Sequence, residues 1–297
     1  MKNSTVKTYR RPKVLKARVS RSVSGDVALT IFLIIMGAIM VFPMVFALSF
    51  SLKSPHEFFV FPPTIIARAP TLRNFRDLFI LMTDSWVPIS RYMFNSILIT
   101  TVGTFGHIVL ASMAAFALSK YKFPGSNFLF ITVQGALMFG GAVTAIPNFL
   151  IINQLGLLDT YFALILPAFA FPLGLFLMKQ FMDQMVPMSI IESADIDGAN
   201  LFYTFRKIVM PMVKPAWLTL MIFSIQALWM LGATPLIQTE ELKTLSFALG
   251  QIHVAGGIAR AGVGAAITVF MLTVPLSVFI FSQANIIETM STSGMKE

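Results

Sequence analysis

Residues 187–215 read PMSIIESADIDGANLFYTFRKIVMPMVKP, and the placement of this stretch decides the architecture of the chain. Glu192, Asp195, Asp197, Arg206, Lys207 and Lys214 make it the longest charged island in an otherwise apolar second half. The runs on either side are long enough to cross a bilayer. A charged residue at the centre of a spanning helix costs at least about 2.5–3.5 kcal/mol on insertion scales, so the island must lie outside the hydrocarbon.

Its local chemistry predicts two short helices around a turn. Ser189 followed by Glu192 has the spacing of a capping box, in which each side chain takes up a free backbone N–H at the helix start. Gly198 is suited to the left-handed conformation that ends a helix, and Asp197 or Asn200 can cap the next one. Leu201, Phe202, Phe205, Ile208 and Val209 recur at three- and four-residue spacing, which predicts one apolar face. Pro211 and Pro215 should stop the segment. An interfacial helix–turn–helix with no special role would share these features.

The composition fixes the environment. Hydrophobic residues make up 56% of the 297 and charged residues 12%, with a mean hydropathy of +0.79. A soluble domain carries about a quarter charged residues, so the chain reads as an all-α polytopic membrane protein. Zero cysteines exclude disulfides, thiolate metal sites and cysteine nucleophiles. His56, His107 and His253 are too scattered for a metal site or a Ser/His/Asp triad. The net charge of +9 follows membrane topology rather than nucleic-acid binding.

Taken in order, residues 1–26 form a basic tail with eight Lys or Arg against the single acid Asp26. The uncharged run after it is too long for a signal-peptide core, so it predicts a first span at about 27–49, kinked at Pro43. A mixed loop leads to a second span at about 91–119. There His107, among Gly103, Gly106 and Ala111, reads as a packed helix-contact residue. The run from Phe123 to Leu158 carries no charge and is too long for one span. The run should therefore break near Pro147–Asn148 or Asn153–Gly156, leaving a third span at about 128–146. Spans four to six are expected at about 160–182, 216–237 and 261–287, with the charged island 187–215 between the fourth and fifth and a tail at 288–297.

Six spans with both ends in the cytoplasm place fifteen of the 22 Lys and Arg residues inside. The seven left outside are Lys53, Arg68, Arg73, Arg76, Arg91, Lys243 and Arg260. This is the positive-inside bias, and it puts the island 187–215 in the cytoplasm.

Beyond these readings, the order Glu192-Ser193-Ala194, three residues, Gly198, nine residues, Ile208-Val209-Met210-Pro211 resembles the EAA loop of the membrane subunits of ABC importers. Asp197-Gly198-Ala199 is similar to its carbohydrate branch, the relatives of the maltose-importer membrane subunits. So is the turn Lys120-Tyr121-Lys122-Phe123-Pro124-Gly125. Ser193 and Met210 are mild departures from the pattern. Three further stretches resemble permeases of complex-polysaccharide or oligosaccharide importers: Glu241–Leu245, Gly256–Gly262, and Ile287–Met290 with Ser293–Glu297.

The resemblance implies the type I permease fold of ABC importers, in a bacterial plasma membrane. It also implies that Glu192, Ser193, Ala194, Asp197, Gly198, Ala199 and Arg206 couple the chain to an ATP-binding subunit. The tail residues Ser293, Gly294, Met295 and Lys296 would reach between the ATP-binding subunits. Implied partners are a second permease subunit (in this family usually a different chain), two ATP-binding subunits, an extracellular sugar-binding protein, an oligosaccharide or polysaccharide fragment, and membrane lipid. The chain would bind no cofactor, with ATP and Mg held by the partner subunits. Consistent with this, no Gly-x4-Gly-Lys-Ser/Thr run occurs, so the chain is expected not to be an enzyme.

Gln226 and Trp229 on the fifth span are candidate substrate-pathway residues, because an amide can bond sugar hydroxyls and an indole can stack on a sugar face. An interhelical hydrogen bond and an interfacial indole explain them equally well. Trp229-Met230-Leu231 departs from the Trp-Asn element of maltose-type relatives. Three rival readings stay open. One is an importer for a peptide or glycerol phosphate. Another is an ion-coupled carrier, which would need intramembrane carboxylates. The third is a scaffold without transport.

Overall fold

The computed structural model describes residues 23–62, 64–83, 87–256 and 260–293, and every regular element among them is helical. The chain divides into two compact units, one up to Phe46 and one from Ala47 onward. The first is built on α1 (Val23–Ser51), whose 29 residues contain Pro43 without interruption. At 1.5 Å per residue it is about 43 Å long, enough to cross a hydrocarbon core of about 30 Å. The basic tail up to residue 22 lies outside the described residues.

In the second unit a short helical turn, Pro55–Phe59, precedes α2 (Arg73–Thr83) and α3 (Ile89–Lys120). There follow α4 (Ser126–Ala136), α5 (Gly141–Gln154), α6 (Phe162–Phe169), α7 (Pro172–Met185) and α8 (Met188–Ile196). Next, α9 (Leu201–Tyr203) runs through a π-helical turn, Thr204–Val209, into α10 (Met210–Met212). The chain finishes with α11 (Lys214–Trp229), α12 (Leu245–Gly256) and α13 (Ala261–Ser293). The long helix α3 is central, packing on α6, α7 and α11.

Small residues bring these helices together. A Cβ built on Gly174 of α7 would stand 2.0 Å from Nε2 of His107 and 2.5 Å from Cδ2 of Leu220. Only glycine lets α7 approach α3 and α11 this closely. His107 is buried, its Nδ1 lies 3.4 Å from the Phe169 carbonyl oxygen, and its ring meets Phe171 edge-on. This is the packed helix-contact role expected of it.

Four helices among the described residues are long and apolar enough to cross a membrane, and up to six segments qualify if each sharply bent pair forms one span. The uncharged run breaks twice: at the end of α5, Gln154, where Gly156 has a φ of +67° within the expected 153–156 region, and at a sharp bend that the sequence did not suggest. Helices α4 and α5 meet at 114°, and Pro147 lies inside α5. The break falls at residues 137–140 because Gly140 and Gly141 adjoin there, and each glycine costs a helix about 1 kcal/mol relative to alanine. The fourth segment is α6 followed by α7, parted at Ala170–Phe171 just before Pro172.

The fifth helix also differs from expectation, ending at Trp229 rather than Ile237. Its 16 residues span about 24 Å, short of the hydrocarbon thickness. The backbone from Met230 to Ile237 continues without helix, and side chains take up its freed carbonyls. Thr244 Oγ donates to the Leu231 carbonyl at 2.6 Å, and Ser246 Oγ to that of Met230 at 3.2 Å. These hydroxyls satisfy carbonyls that the helix no longer pairs.

Candidate functional site

The charged island is held rigidly on the ends of three long helices. At its entrance, Lys120 Nζ donates to the Val186 carbonyl at 2.6 Å, while Ser119 Oγ donates to Asp183 at 2.5 Å. Asp183 also pairs with Lys179 at 2.7 Å. At its exit, Phe205 lies 5.5 Å from Phe116 of α3, ring centre to ring centre. Beneath, Ile191, Val209 and Val213 join Ala115, Phe116, Met178, Met182 and Leu220 in one buried cluster. Helices α3, α7 and α11 therefore grip both arms of the island. Sequence reading put Lys120 in a cytoplasmic turn but gave Ser119, Lys120 and Asp183 no part in the site, because their partners lie 64 and 66 positions away.

The turn at the centre of the island follows from Gly198. Its φ is +78°, in the left-handed region that a side chain disfavours. The Gly198 N–H donates to the Asp195 carbonyl at 3.1 Å and the Ala199 N–H to that of Ala194 at 2.9 Å. These two bonds make a Schellman motif, which closes α8 and satisfies its last carbonyls. Asn200 then starts the next helix, its side-chain oxygen accepting the Tyr203 N–H at 2.8 Å. Of the two caps considered for that helix, Asn200 is the one used. The capping box does not form. Pro187 occupies the N-cap position of α8 with no side-chain cap, and the Ser193 hydroxyl instead donates to the Ser189 carbonyl at 2.8 Å. Pro187 sets the start two residues too early for Ser189 to cap it.

The outward face is mixed apolar and charged. Glu192, Ser193, Asp197, Gly198 and Arg206 are exposed, Ala199 is half-buried, and Ala194 is buried under the turn. The single apolar face expected of 201–209 is divided. Val209 is buried and Phe205 partly so, whereas Leu201, Phe202 and Tyr203 project outward with Ile196, which is 86% exposed. The cause is the π-helical turn Thr204–Val209. Its wider winding adds a residue between the two halves and rotates one relative to the other. The result is a turn-centred surface of Ile196, Leu201, Phe202 and Tyr203 with Glu192, Asp197 and Arg206 around it. No intrahelical or core role accounts for these apolar side chains.

The two pathway candidates part company. Gln226 is exposed on α11. Trp229 is 5% exposed, and its indole N–H donates to the Met271 carbonyl of α13 at 3.0 Å. It packs with Leu78, Met82, Leu245 and Met271. Of the two readings open for it, a stacking surface and an interhelical hydrogen bond, the second is the one seen: Trp229 ties α11 to α13. The irregular stretch after it lines a cleft of about 260 Å³ with Gly232, Ala233, Thr234, Lys243 and Phe247. Of the tail candidates, Ser293 ends α13, while Gly294, Met295 and Lys296 lie outside the described residues.

At the opposite end of α3, polar side chains hold the loop 238–244. Asn95 Nδ2 donates to the carbonyls of Glu241 and Lys243 at 2.8 and 2.9 Å, and Tyr161 donates to Asn95 Oδ1 at 2.7 Å. Asp159 accepts the Gln238 and Thr239 N–H groups at 3.0 and 2.8 Å and also the Thr239 hydroxyl. These bonds, the Thr239 hydroxyl first, hold its carboxyl below the ordinary aspartate range. Among the described residues no group of three or more His, Cys, Asp or Glu is placed to hold a metal ion.

Comparison with known proteins adds the following. No protein-family model matches the chain. It is 30% identical over 270 residues to the putative ABC transporter permease protein ORF2 of Caldicellulosiruptor sp. (strain Rt8B.4), covering 90% of this chain and 95% of that one. It is 32% identical over 210 residues, 71% of each chain, to the polygalacturonan/rhamnogalacturonan transport system permease protein YtcP of Bacillus subtilis. Among solved structures it resembles a chain of a bacterial ABC transporter involved in the import of the acidic polysaccharide alginate. The TM-score is 0.73 and the identity 21%, covering 89% of this chain and 98% of that one, a likeness of fold.

Proposed function

Because the chain belongs to the permease subunits of ABC transporters, we propose that the surface around Gly198 is its docking site for an ATP-binding subunit, in an importer of an oligosaccharide or polysaccharide fragment. The observation that carries this reading is the exposed apolar group Ile196, Leu201, Phe202 and Tyr203 on a turn clamped to three long helices. A rigid clamp is what a coupling element needs. Movement of a docked partner is then passed to α3, α7 and α11 rather than absorbed in a loop. In this role Glu192, Ser193, Asp197, Gly198 and Arg206 meet the partner, while Ala194 and Ala199 shape the turn beneath them. The tail residues Ser293, Gly294, Met295 and Lys296 belong to the same side.

The energy source lies in the partners. ATP and Mg bind in two ATP-binding subunits, a second permease chain completes the transmembrane pathway, and an external sugar-binding protein delivers the substrate. Both termini and the docking surface face the cytoplasm in this reading, as the distribution of Lys and Arg supports. The pathway is lined where spanning helices are interrupted, at residues 137–140 and 230–237. Unpaired backbone groups at membrane depth are stable only inside protein or against water, and in transporters they meet the solute. Gln226 belongs to this lining. A saccharide is favoured by the relative named for polygalacturonan/rhamnogalacturonan transport.

The test pairs co-purification with uptake. Gentle isolation of the native chain should recover an ATP-binding subunit, a second permease and a binding protein whose ligand can be screened against saccharides, peptides and glycerol phosphate. Glu192→Lys should leave membrane insertion intact and abolish uptake, with loss of the ATP-binding subunit from the purified complex. Normal uptake by Glu192→Lys together with recovery of the native chain alone would overturn the docking role.

A further inference from the structure

Residues 53–72 follow the end of α1 and look at first like an irregular polar connection. Several polar groups of this stretch and its neighbours instead bond to one another. Ser49 Oγ donates to the Ile65 carbonyl at 2.8 Å and accepts the Ala67 N–H at 2.9 Å. Lys53 is buried, donates to the Thr64 carbonyl, and holds its ammonium 3.8 Å from the centre of the Phe50 ring. Glu57 accepts the N–H groups of Arg68 and Ala69 at 3.0 and 2.9 Å. Asn74 Nδ2 donates to the carbonyls of Ser51 and Lys53, each at 2.8 Å. The segment is thus a folded strap with defined geometry.

Its apolar groups face outward. Phe59, Val60, Phe61, Ile65, Ile66 and Leu72 are all exposed, Phe61 at 92%. Around them Arg68, Arg73 and Arg76 are exposed cations. The register of the strap sets its depth. Its bonds to Ser49 place Ile65 level with a residue two positions inside the end of α1, which is about 3 Å below that end at the helical rise. The strap therefore folds back beside the last turn of α1 rather than running away from it. Exposed aromatic and aliphatic side chains with flanking arginines are the composition of a segment lying at a membrane–water boundary.

We infer that the strap is a membrane-interface anchor, with Phe59, Phe61, Ile65 and Ile66 seated among lipid chains and Arg68, Arg73 and Arg76 among lipid headgroups. Its continuity with the end of a spanning helix selects lipid over a protein partner as the occupant. The anchor would fix the height and rotation of α1 in the bilayer. It rests only on α1 crossing the membrane, so its failure would leave the docking surface around Gly198 untouched, and the reverse also holds.

The chain contains no cysteine, so single spin labels can be placed without other changes. Phe61→Cys and Ile66→Cys, labelled in the full chain with its co-purifying subunits, would be reconstituted into phosphatidylethanolamine–phosphatidylglycerol vesicles. Collision with oxygen and with a water-soluble nickel chelate is then measured by power saturation. Val45→Cys on α1 supplies the lipid standard and Gln238→Cys the water standard. The expected result is a shift of the oxygen-to-nickel ratio at both strap positions away from Gln238→Cys and towards Val45→Cys. Ratios matching Gln238→Cys would overturn the anchor. So would protection from nickel that vanishes when the other subunits are stripped away, which would assign the strap to a protein partner.

Discussion

Replacing Gly198 with alanine isolates the conformational demand of the coupling turn from every other contact. A Cβ built there meets nothing within 4 Å, while the φ of +78° is one that L side chains rarely adopt. The substitution therefore adds no clash within the chain, and its cost is the left-handed backbone alone, about 1–2 kcal/mol. That is a factor of about 5–30 in the equilibrium between the closed turn and its opened forms. The two hydrogen bonds of the turn, from Gly198 N–H and Ala199 N–H, should open more often by that factor. Hydrogen exchange at these amides in the reconstituted complex would read it directly. Asparagine tolerates the left-handed region better than alanine, so Gly198→Asn should be milder and Gly198→Val more severe. Uptake should fall in the same order, Gly198→Val abolishing it, with membrane insertion unchanged. Unaltered exchange in Gly198→Ala would refute the conformational argument. Equal loss of uptake in Gly198→Asn and Gly198→Ala, with exchange unaltered, would show instead that the docked partner leaves no room for any side chain.

Gly174→Ala forces a Cβ to 2.0 Å from His107 Nε2, and overpacking of this kind costs about 1–3 kcal/mol. A lower Tm is expected, and pairing the change with His107→Ala should recover part of it; purely additive losses would refute the contact. Asp159 has its carboxyl held below the ordinary value of 3.8 by bonds from Thr239 and Gln238. A depressed value means the anchorage is fully present above the ordinary value and is lost as the pH falls through the folded one. A spin label at Glu241→Cys should therefore gain mobility only below about pH 4, and Asp159→Asn should confer that mobility at neutral pH. Mobility unchanged in Asp159→Asn would show that Asn95, Arg91 and Tyr92 hold the loop without it.

How much was legible in the sequence depended on what kind of information each feature needed. Gly198 and Asn200 were readable because a left-handed turn and an N-cap depend on a residue's own backbone preference and its nearest neighbours. His107 was readable as a packing residue because small residues at helical spacing announce close approach. The end of α5 at Gln154 fell in one of the two regions expected for a break, whereas Pro147 sits inside a helix and the bend at 137–140 was not anticipated. Trp229 stayed open between two roles because a buried indole and a cavity-lining indole have the same sequence surroundings. Only the nearness of the Met271 carbonyl, 42 positions later, separates them. The apolar face of 201–209 was split by a π-turn, which follows from how the segment must meet α3 and leaves no local trace.

Composition and hydropathy, summed over long windows, determined by themselves that this is an all-α membrane chain with a charged island between spans, because the cost of burying charge in hydrocarbon is large and needs no knowledge of neighbours. The tertiary structure alone decided which side chains of that island turn outward, which helices grip it, and where the strap after α1 comes to rest. Those outcomes depend on contacts between residues far apart in sequence, and the energy of such a contact exists only once the fold has brought both partners together.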